Sequence, residues 1–495
     1  MRFKYCKLPS VIVWLLLFIN RFFAQGPDTL WTKTYGGDNV EYGYSVKQTS
    51  EGGFIVVGST KSYGNGGYDV WLLKLNADGD TIWASTYGGP YDEAGHFVLQ
   101  NSDGSYIIVG RKNNYATTYD DIWLLKTDIN GDTMWTRTYG GNHNEYGYSA
   151  QQTTDGGYVI AGSTRSFGQG VPTYSNIYLV RTDANGDTLW TKVLGQNGLV
   201  DDIAYTVIQT SDGGYVVSGC TGLQTQYDIY LIKTNGNGDT VWTKKNGGSG
   251  QEIGYSIIES DGAYIVAGYT NSYGPNPSNF YLIKIDTNGD TIWTKIYDSG
   301  YEEHGHSVQQ TYDGGYIIAG YIDLPDQYGQ DFYLVRTDAN GDVLWTQNYP
   351  KEDHSDVAFE VQQTTDNGYI IVGYTHYWYY GKVRAYEQIY LIKTKPELGI
   401  EEKQFPEHKK TFFKIIPNPV TSCALIEYYL PKSTLVNINI YNILGQKVKK
   451  ILEKTQGPGT YRIMWSGHSD HNNKVPAGVY FVQYNGLLEK VVRAR

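Results

Sequence analysis

The chain has 495 residues, 40% of them hydrophobic and 15% aromatic, with 59 glycines and 47 tyrosines. This length exceeds one ordinary domain, and the glycine and tyrosine content indicates a globular protein rich in turns and strands. Forty basic residues against 51 acidic residues leave a formal net charge of −11, which argues against nucleic acid as a partner.

Residues 1–24 have the features of a secretory signal peptide. Basic residues precede an apolar run, Val11–Ile19, and cleavage is predicted near Ala24. This run is too short to span a bilayer, so we expect no transmembrane segment after its removal. The mature chain would carry a charge of −15, because residues 1–24 hold four basic and no acidic residues. Cys220 and Cys423 remain and are interpreted as small buried apolar side chains.

Seven near-copies of the peptide Asp-Thr-Leu-Trp mark a tandem repeat. Successive tryptophans are 51 to 55 residues apart, and a period this regular indicates one supersecondary unit copied as an array. The seven positions are Trp31, Trp83, Trp135, Trp190, Trp242, Trp293 and Trp345.

Each repeat contains four strand-like segments, here called A to D. In the third repeat, Asp155-Gly156 separates A from B and Asn185-Gly186 separates C from D. Asx-Gly pairs favour tight antiparallel hairpins, so both links are predicted to be short turns. The segments predicted in this repeat are Tyr148–Thr153, Tyr158–Ser163, Asn176–Thr182 and Thr188–Leu194.

The two ends of the array predict a closed ring. The chain starts with a D-type segment, Asp28–Gly37, and the array stops after a C-type strand, Ile389–Thr394. Pairing of these segments would complete the last blade and remove two exposed sheet edges, which favours a ring over an open solenoid. We therefore predict an all-β fold in which residues 25–395 form a seven-bladed β-propeller, followed by a second domain.

The repeats also carry a family resemblance. The segment TDANGDTLWTK resembles the tryptophan-docking motif of quinoprotein-type propellers, in which a glycine precedes the tryptophan by four positions, as Gly186 precedes Trp190. The phrases TYGG, EYGYS, DGGYVIAG and YLVRTD are similar to secreted bacterial β-propeller repeats. The resemblance covers residues 28–395 and implies the fold, but it is weak evidence for activity. We expect each tryptophan to wedge between adjacent blades.

One end of the ring is predicted to bind a ligand. The B-to-C and D-to-A links vary between repeats, whereas the A-to-B and C-to-D turns at the other end are short and uniform. The variable links are rich in Tyr, Gly, Ser and Asn, a composition suited to binding. Their most aromatic patch is Tyr377, Trp378, Tyr379 and Tyr380. In the alternative interpretation, these tyrosines cover neighbouring blades.

An acidic residue precedes strand A in every repeat, at the same end. One hypothesis is a carboxylate ring at the channel mouth that binds a ligand or a cation. The alternative, favoured because all seven copies share the residue, is that each carboxylate caps backbone N–H groups. The set is Glu41, Glu93, Glu145, Asp202, Glu252, Glu303 and Asp356.

No catalytic motif is recognised in the sequence. The pattern Asp183 to Asp187 resembles the start of a calcium loop, but the bidentate Glu of such loops is missing, so a hairpin turn is favoured. His304 and His306 alternate on one predicted strand, with His354 in the next repeat, so a metal site there is conceivable. We predict no metal, no cofactor and no catalytic residue.

Residues 396–413 are charged and aperiodic, which predicts a linker, and residues 414–495 show short alternating strands typical of a small β-sandwich. The predicted strands are Ala424–Tyr429, Val436–Tyr441, Thr460–Trp465, Gly478–Tyr484 and Leu487–Arg493.

This last segment resembles a type IX secretion C-terminal sorting domain, in the variant similar to the flagellar-hook-cap immunoglobulin-like module. The phrases IIPNPVTSCALIEYYLP, VNINIYNILGQKV, GTYRIMWSG and KVPAGVYFVQY carry the resemblance. It implies export by the type IX secretion machinery to the outer surface or the exterior; an ordinary accessory sandwich is the alternative. The matching positions are Pro417, Asn418, Pro419, Gly445, Gln446, Ala477, Gly478, Tyr480, Lys490, Arg493 and Arg495.

The sequence thus predicts an exported, monomeric, non-catalytic propeller that binds a glycan or a surface protein. The alternative is a carbohydrate-active propeller enzyme that uses the carboxylates of the channel mouth.

Overall fold

The computed structural model describes most of residues 26–397 and 413–493, and the chain divides into two compact units, residues 1–399 and 400–495. Within these ranges the residues left undescribed are 117, 169–172, 196–198, 224, 275–276, 325–328, 352–353, 378–386, 417–423, 431–433, 443–445, 458, 466, 471–473 and 485–486.

The first unit consists of seven four-stranded antiparallel sheets, numbered here as blades. Blade 1 contains β2 (Glu41–Gln48), β3 (Phe54–Thr60), β4 (Asp69–Leu75) and β5 (Thr81–Tyr87). Blade 2 contains β6 (Ala94–Gln100), β7 (Tyr106–Asn114), β8 (Tyr119–Thr127) and β9 (Thr133–Tyr139). Blade 3 contains β10 (Glu145–Gln152), β11 (Tyr158–Thr164), β12 (Asn176–Thr182) and β13 (Thr188–Leu194). Blade 4 contains β14 (Asp201–Gln209), β15 (Tyr215–Leu223), β16 (Gln226–Thr234) and β17 (Thr240–Asn246).

The remaining blades follow the same order. Blade 5 contains β18 (Glu252–Ser260), β19 (Ala263–Thr270), β20 (Asn279–Ile285) and β21 (Thr291–Tyr297). Blade 6 contains β22 (Glu302–Gln310), β23 (Tyr316–Leu324), β24 (Gly329–Thr337) and β25 (Val343–Tyr349). Blade 7 contains β26 (His354–Gln363), β27 (Tyr369–Tyr377), β28 (Glu387–Thr394) and β1 (Thr29–Tyr35).

The ring closes as the two ends of the array predict. Strand β1 pairs antiparallel with β28, with Trp31 opposite Lys393 and Thr34 opposite Tyr390. Blade 7 then packs against blade 1, and Val46 shares a buried apolar cluster with Ile370 and other residues of blade 7. The prediction of a seven-bladed β-propeller is confirmed.

The hairpins within each blade form where the Asx-Gly pairs predict them. Gly156 and Gly186 have φ angles of +86° and +79°, a conformation that glycine adopts without strain. Strand A is longer than predicted, because Glu145 already pairs with Thr164 of strand B. The acidic residue therefore lies within strand A in six blades and is its first residue in blades 1, 3 and 5, whereas in blade 2 Glu93 precedes the strand.

Each tryptophan docks on the following blade. A Cβ on Gly186 would lie 2.8 Å from the Trp135 ring, so only glycine lets the ring approach the turn this closely. Tyr139 reinforces the contact, since its hydroxyl donates a 2.6 Å hydrogen bond to the carbonyl of Gly186. The expected wedge between blades is present, but the glycine belongs to the next repeat and not to the tryptophan's own repeat.

The second unit contains two antiparallel sheets. They are formed by β29 (Phe413–Ile416), β30 (Ala424–Leu430) and β33 (Gly459–Trp465), and by β31 (Thr434–Asn442), β32 (Lys447–Gln456), β34 (Gly478–Tyr484) and β35 (Leu487–Arg493). Residues of both sheets, among them Ile426, Ile438 and Val482, share one buried core, as in a sandwich. Strands β29 and β32 are absent from the sequence prediction, since their charged and mixed patterns do not alternate clearly.

Candidate functional site

The start of strand A, the B-to-C link and the D-to-A link meet at one end of every blade, here called the loop face. The pairing of Glu41 with Thr60 at this end fixes the arrangement in blade 1. The A-to-B and C-to-D turns lie at the opposite end, here called the turn face. The geometry therefore gathers the variable links on one surface, as the sequence predicts.

The seven acidic residues are fully buried at the loop face. In blade 3 the Glu145 carboxylate accepts hydrogen bonds from the N–H of Gly141 at 2.7 Å, the N–H of Ser166 at 3.0 Å and the hydroxyl of Thr164 at 2.6 Å. It thus ties the D-to-A link to the start of the B-to-C link. Blades 1 and 5 repeat these contacts through Glu41 and Glu252.

These contacts are those of the capping interpretation, because in blades 1, 3 and 5 the carboxylate oxygens accept hydrogen bonds from loop N–H groups and a threonine hydroxyl. Burial has an electrostatic consequence in blade 6, where desolvation raises the pKa of Glu303 to about 7. In blade 7 burial likewise raises the pKa of Asp356, near Lys351. Ligand binding by the acidic set stays a prediction.

The aromatic patch predicted at the last B-to-C link lies largely outside the described residues. Trp378, Tyr379 and Tyr380 are not described, and of Tyr377 only the backbone, at the end of β27, is described. The prediction for this patch therefore stays a prediction.

Other loop tyrosines cover their own blades. The Tyr63 ring lies 5.1 Å from the Trp71 ring, and its hydroxyl donates to the carbonyl of Gly36 at 3.1 Å. Tyr273 occupies the same place in blade 5, 6.0 Å from Tyr281. At these positions the tyrosines serve packing, but within their own blade and not against the neighbouring blade that the alternative interpretation named.

A groove on the loop face between blades 1 and 3 has a different character. Its volume is about 470 Å³, and Tyr91, Tyr119 and Arg111 are among the residues that line it. Tyr91 and Tyr119 are 45% and 38% exposed, so their rings are available to a ligand. The Tyr91 ring packs at 5.3 Å from Tyr115, which holds it in place.

Polar groups complete this groove. The Arg111 guanidinium donates to Asp120 at 2.6 Å, and the backbone N–H of Asp120 donates to the side chain of Asn144 at 3.0 Å. The amide oxygen of Asn113 is buried and accepts no hydrogen bond from the described residues, while its amide nitrogen donates to Asp120 at 3.3 Å. The groove therefore offers exposed rings beside oriented polar groups.

The centre of the ring holds a feature that the sequence interpretation missed. Seven aromatic or imidazole rings, one per blade, form a closed collar around the channel, and neighbouring ring centroids are 4.8 to 5.5 Å apart. All seven side chains are partly exposed. The collar consists of Tyr44, His96, Tyr148, Tyr205, Tyr255, His306 and Phe359.

A β-bulge positions every collar residue. In blade 1 Gly43 pairs with Gly58 and Ser45 pairs with Val57, so Tyr44 is the extra residue of strand A. The same shift occurs at the collar position of the other six blades. Bulges re-aim side chains, and here they turn the rings to the channel. A sequence signal does exist, since each collar residue follows its acidic residue by three positions.

The collar is uncharged at neutral pH. Desolvation raises the pKa of Tyr44 and of Tyr148 to about 12, and it lowers the pKa of His96 and of His306 to about 4. The Nδ1 of His96 lies 2.8 Å from the carbonyl of Gly147, and this atom must donate because a carbonyl only accepts. Each histidine thus bridges to the next blade as a neutral ring.

The histidines weighed as metal ligands pack as aromatic rings instead. The His304 ring lies 4.1 Å from Tyr269 and 4.9 Å from Tyr321, and the His306 Nδ1 is bound to the carbonyl of Ala358 at 2.7 Å. Across the described part of the chain, no group of three or more His, Cys, Asp or Glu residues is placed to hold a metal ion.

The residues of the predicted sorting motif are partly described. Tyr480 is buried and donates to the carbonyl of Pro476 at 2.8 Å, and the Arg493 guanidinium donates to the carbonyl of Val475. Gln446 pairs with Asn442 across the turn before β32. Gly478 opens β34 directly after Ala477, and Lys490 lies in β35 opposite Phe481. Outside the described residues lie Pro417, Asn418, Pro419, Gly445 and Arg495.

The fold defines a seven-bladed β-propeller followed by a small β-sandwich. Residues 414–494 match the family model of the secretion system C-terminal sorting domain. The predicted type IX sorting domain is confirmed, and it directs the chain to the cell surface or the extracellular space. Among the described residues no helix is long and apolar enough to cross a membrane.

Several solved structures are similar to the chain at low identity. A fungal alcohol oxidase in complex with copper is 12% identical, with a TM-score of 0.47, over 95% of this chain and 100% of that one. The Pan2 WD40 domain of Neurospora crassa is 9% identical, with a TM-score of 0.47, over 77% and 99%. The β-propeller domain of the Trilobed protease of Pyrococcus furiosus is 10% identical, with a TM-score of 0.41, over 72% and 94%.

At this level of similarity these structures carry no argument about catalysis. No curated protein matches the chain.

Proposed function

We propose that the propeller is an exported, non-catalytic binding domain that takes a glycan through the groove on its loop face. The observation that carries this proposal is the pairing of exposed rings with oriented polar groups in that groove, at Tyr91, Tyr119, Asn113 and the Arg111–Asp120 pair. Sugars present apolar C–H faces and hydroxyl edges, and this combination complements both.

The polar groups of the groove are already oriented, since the amide nitrogen of Asn113 donates to Asp120 at 3.3 Å. The neighbouring side chains of Asp120 and Asn144 are already fixed by hydrogen bonds, so little side-chain entropy is lost on binding.

The competing proposal is a carbohydrate-active enzyme that uses the carboxylates of the channel mouth. General acid and nucleophilic carboxylates must reach a substrate, whereas the acidic set at the loop face is fully buried and, in blades 1, 3 and 5, occupied by loop backbone. This burial favours binding over catalysis at those seven positions.

The architecture of the whole chain is part of the same proposal. We propose a signal peptide at residues 1–24, a propeller at 25–395, a linker at 396–413 and a sorting sandwich from 414 onward. The type IX secretion machinery would recognise the last segment, and the propeller would act as a monomer at the surface or outside the cell.

A glycan array probed with the full chain tests the proposed function. We expect saturable binding to a limited set of glycans, and a loss of about tenfold or more in affinity for Tyr119→Ala, since stacked aromatic anchors dominate such sites. Tyr312→Ala is the matched control, because Tyr312 is 66% exposed but lies on the turn face.

Two outcomes would reject the proposal. One is the absence of saturable glycan binding by the folded chain. The other is equal loss of affinity in Tyr119→Ala and Tyr312→Ala, which would place the ligand away from the groove. Release of shortened oligosaccharides during the assay would support the enzyme instead.

A further inference from the structure

We infer that the aromatic collar is a second binding site, separate from the groove, and that it takes an organic cation such as a quaternary ammonium group. This inference does not depend on the proposed glycan site. It rests on the closed ring of seven neutral side chains inside the channel.

The chemistry of the collar wall favours a cation over a sugar. Tyr44, Tyr148 and Tyr205 each lie beside a small residue of the adjoining strand B, namely Ser59, Ser163 and Cys220. The collar side chains are uncharged at neutral pH, so a ligand meets a wall of neutral rings. An aromatic face carries negative charge density and attracts cations.

The dimensions are compatible with this class of ligand. A heptagon with sides of 4.8 to 5.5 Å has a radius of about 6 Å, so a cation on the axis lies at the outer limit of attraction by those rings that present a face to it. A cation displaced toward one side comes closer to several rings at once. Burial among neutral rings also lowers the competition from water that weakens exposed cation–π contacts.

The charges around the collar point the same way. Buried acidic residues lie three positions before the collar in all seven blades, and those that are ionised oppose an anion and attract a cation. Burial raises the pKa of Glu303 and of Asp356 to about 7, so these two carry less than a full negative charge at neutral pH. Arg111 acts on Tyr44, His96 and Tyr148, but its guanidinium is paired with Asp120 at 2.6 Å. Its positive charge is therefore largely compensated.

The collar also differs from a purely structural plug. A plug would be served by aliphatic side chains, and the same strands do carry aliphatic residues three positions after the collar at Leu99, Ile208 and Ile258. The bulged position carries only aromatic or imidazole rings in all seven blades, although each blade departs from the others elsewhere. That restriction is expected of a surface selected for its π character.

Calorimetric titration of the full chain with choline chloride tests the inference, with 3,3-dimethylbutan-1-ol as the neutral molecule of the same shape. We expect choline to bind at least about tenfold more tightly, because only the charged probe gains cation–π attraction. Sodium chloride at equal ionic strength controls for general salt effects.

Variants locate the site. We expect Tyr148→Leu to weaken choline binding about threefold to tenfold, whereas Tyr148→Phe, which keeps the ring, changes it less than about twofold. Phe359→Leu and Phe359→Tyr provide a second pair should Tyr148→Leu fail to fold. Tyr119→Ala, in the groove, should leave choline binding unchanged, so failure of the groove proposal and failure of this one are distinguishable.

Three results would overturn the inference. The first is the absence of saturable choline binding up to about 100 mM, which corresponds to negligible affinity. The second is equal affinity for choline and for the neutral probe. The third is that Tyr148→Leu binds choline as tightly as Tyr148→Phe, and Phe359→Leu as tightly as Phe359→Tyr.

Discussion

Blades 1 to 6 are each formed by a continuous piece of chain, whereas blade 7 is assembled from both ends of the array. At a regular interface, the Trp31 indole donates to the carbonyl of Ala77 at 3.1 Å and its ring packs on Gly79. A C-to-D hairpin supplies both contacts. Blade 7 has no such hairpin, because its C and D strands are not consecutive.

Segments from the two ends of the propeller array replace the missing hairpin. Gly26 takes the place of the turn glycine, since a Cβ on it would lie 2.8 Å from the Trp345 ring. The Trp345 indole donates to the carboxylate of Glu397 at 2.7 Å, and the Tyr349 hydroxyl donates to the carbonyl of Pro27 at 2.9 Å. The interface is therefore defined by a small set of contacts, which unconnected segments can also provide.

The largest expected effect is the loss of the tryptophan at this assembled interface. Trp345 is only 3% exposed, whereas Trp242 at a regular interface is half-buried. Trp345→Ala should lower the free energy of unfolding by about 3–5 kcal/mol, and Trp242→Ala should lower it by less. Urea unfolding followed by circular dichroism measures both. A larger cost for Trp242→Ala would mean that the assembled interface is the weaker one.

The second effect concerns Glu397, whose carboxylate accepts hydrogen bonds from the Trp345 indole, the Tyr369 hydroxyl and the buried Arg336 guanidinium. Glu397→Ala should lower the free energy of unfolding by about 2–3 kcal/mol. This is less than the loss of a whole buried ion pair, because Arg336 keeps its ion pair with Asp313. Lys395→Ala is the control, since its ion pair with Asp28 is exposed and worth less than about 1 kcal/mol. Equal thermal midpoints for the two variants would contradict this assignment.

The third effect is a pH dependence in blade 7. Burial raises the pKa of Asp356 in the folded chain above its unfolded value, so its contribution to stability is complete below about pH 4 and declines as the pH rises toward the folded pKa. As the pH rises from acidic to neutral, the free energy of unfolding of Asp356→Asn should therefore increase by about 1–2 kcal/mol relative to that of the parent. Unfolding curves at several pH values measure the difference, and parallel curves would argue against it.

The smallest effect compares two ion pairs between blades. Lys47 of blade 1 binds Glu360 of blade 7, and both side chains are less than a quarter exposed, whereas Asp239 in the pair with Lys192 is 59% exposed. Double-mutant cycles should give a coupling of about 1 kcal/mol for the first pair and less than about 0.5 kcal/mol for the second. Equal couplings would show that closure between blades 7 and 1 gains nothing from burial.

Much of the fold could be predicted from the sequence because its signals are local and repeated. The spacing of the tryptophans gives the number of blades, and the Asx-Gly pairs give the hairpins, since glycine at positive φ is a requirement of the turn itself. Ring closure followed from the two unpaired segments. The docking partner of each tryptophan could not be predicted in this way. A tryptophan that contacts the turn glycine of its own repeat and one that contacts the turn glycine of the next repeat have the same sequence pattern.

The candidate site was less predictable, for physical reasons that differ between its parts. The acidic residues were recognised, but only the structure gives their burial and the N–H groups they accept from. The collar depends on a bulge beside Gly43, which shifts the register by one residue and cannot be read from simple alternation. The groove depends on how the links around Tyr91 and Tyr119 meet in space, and loop conformation is weakly encoded by local sequence.

The pairing of β1 with β28 has a consequence for secretion. The ion pair between Asp28 and Lys395 spans 367 residues, so the earliest strand of the propeller must wait for nearly the last one before its blade exists. Such a high contact order slows folding. A chain that emerges from its N-terminus cannot complete blade 7 until residue 395 has emerged, and the sorting domain begins only at residue 414. The propeller can therefore be complete before the sorting domain has emerged.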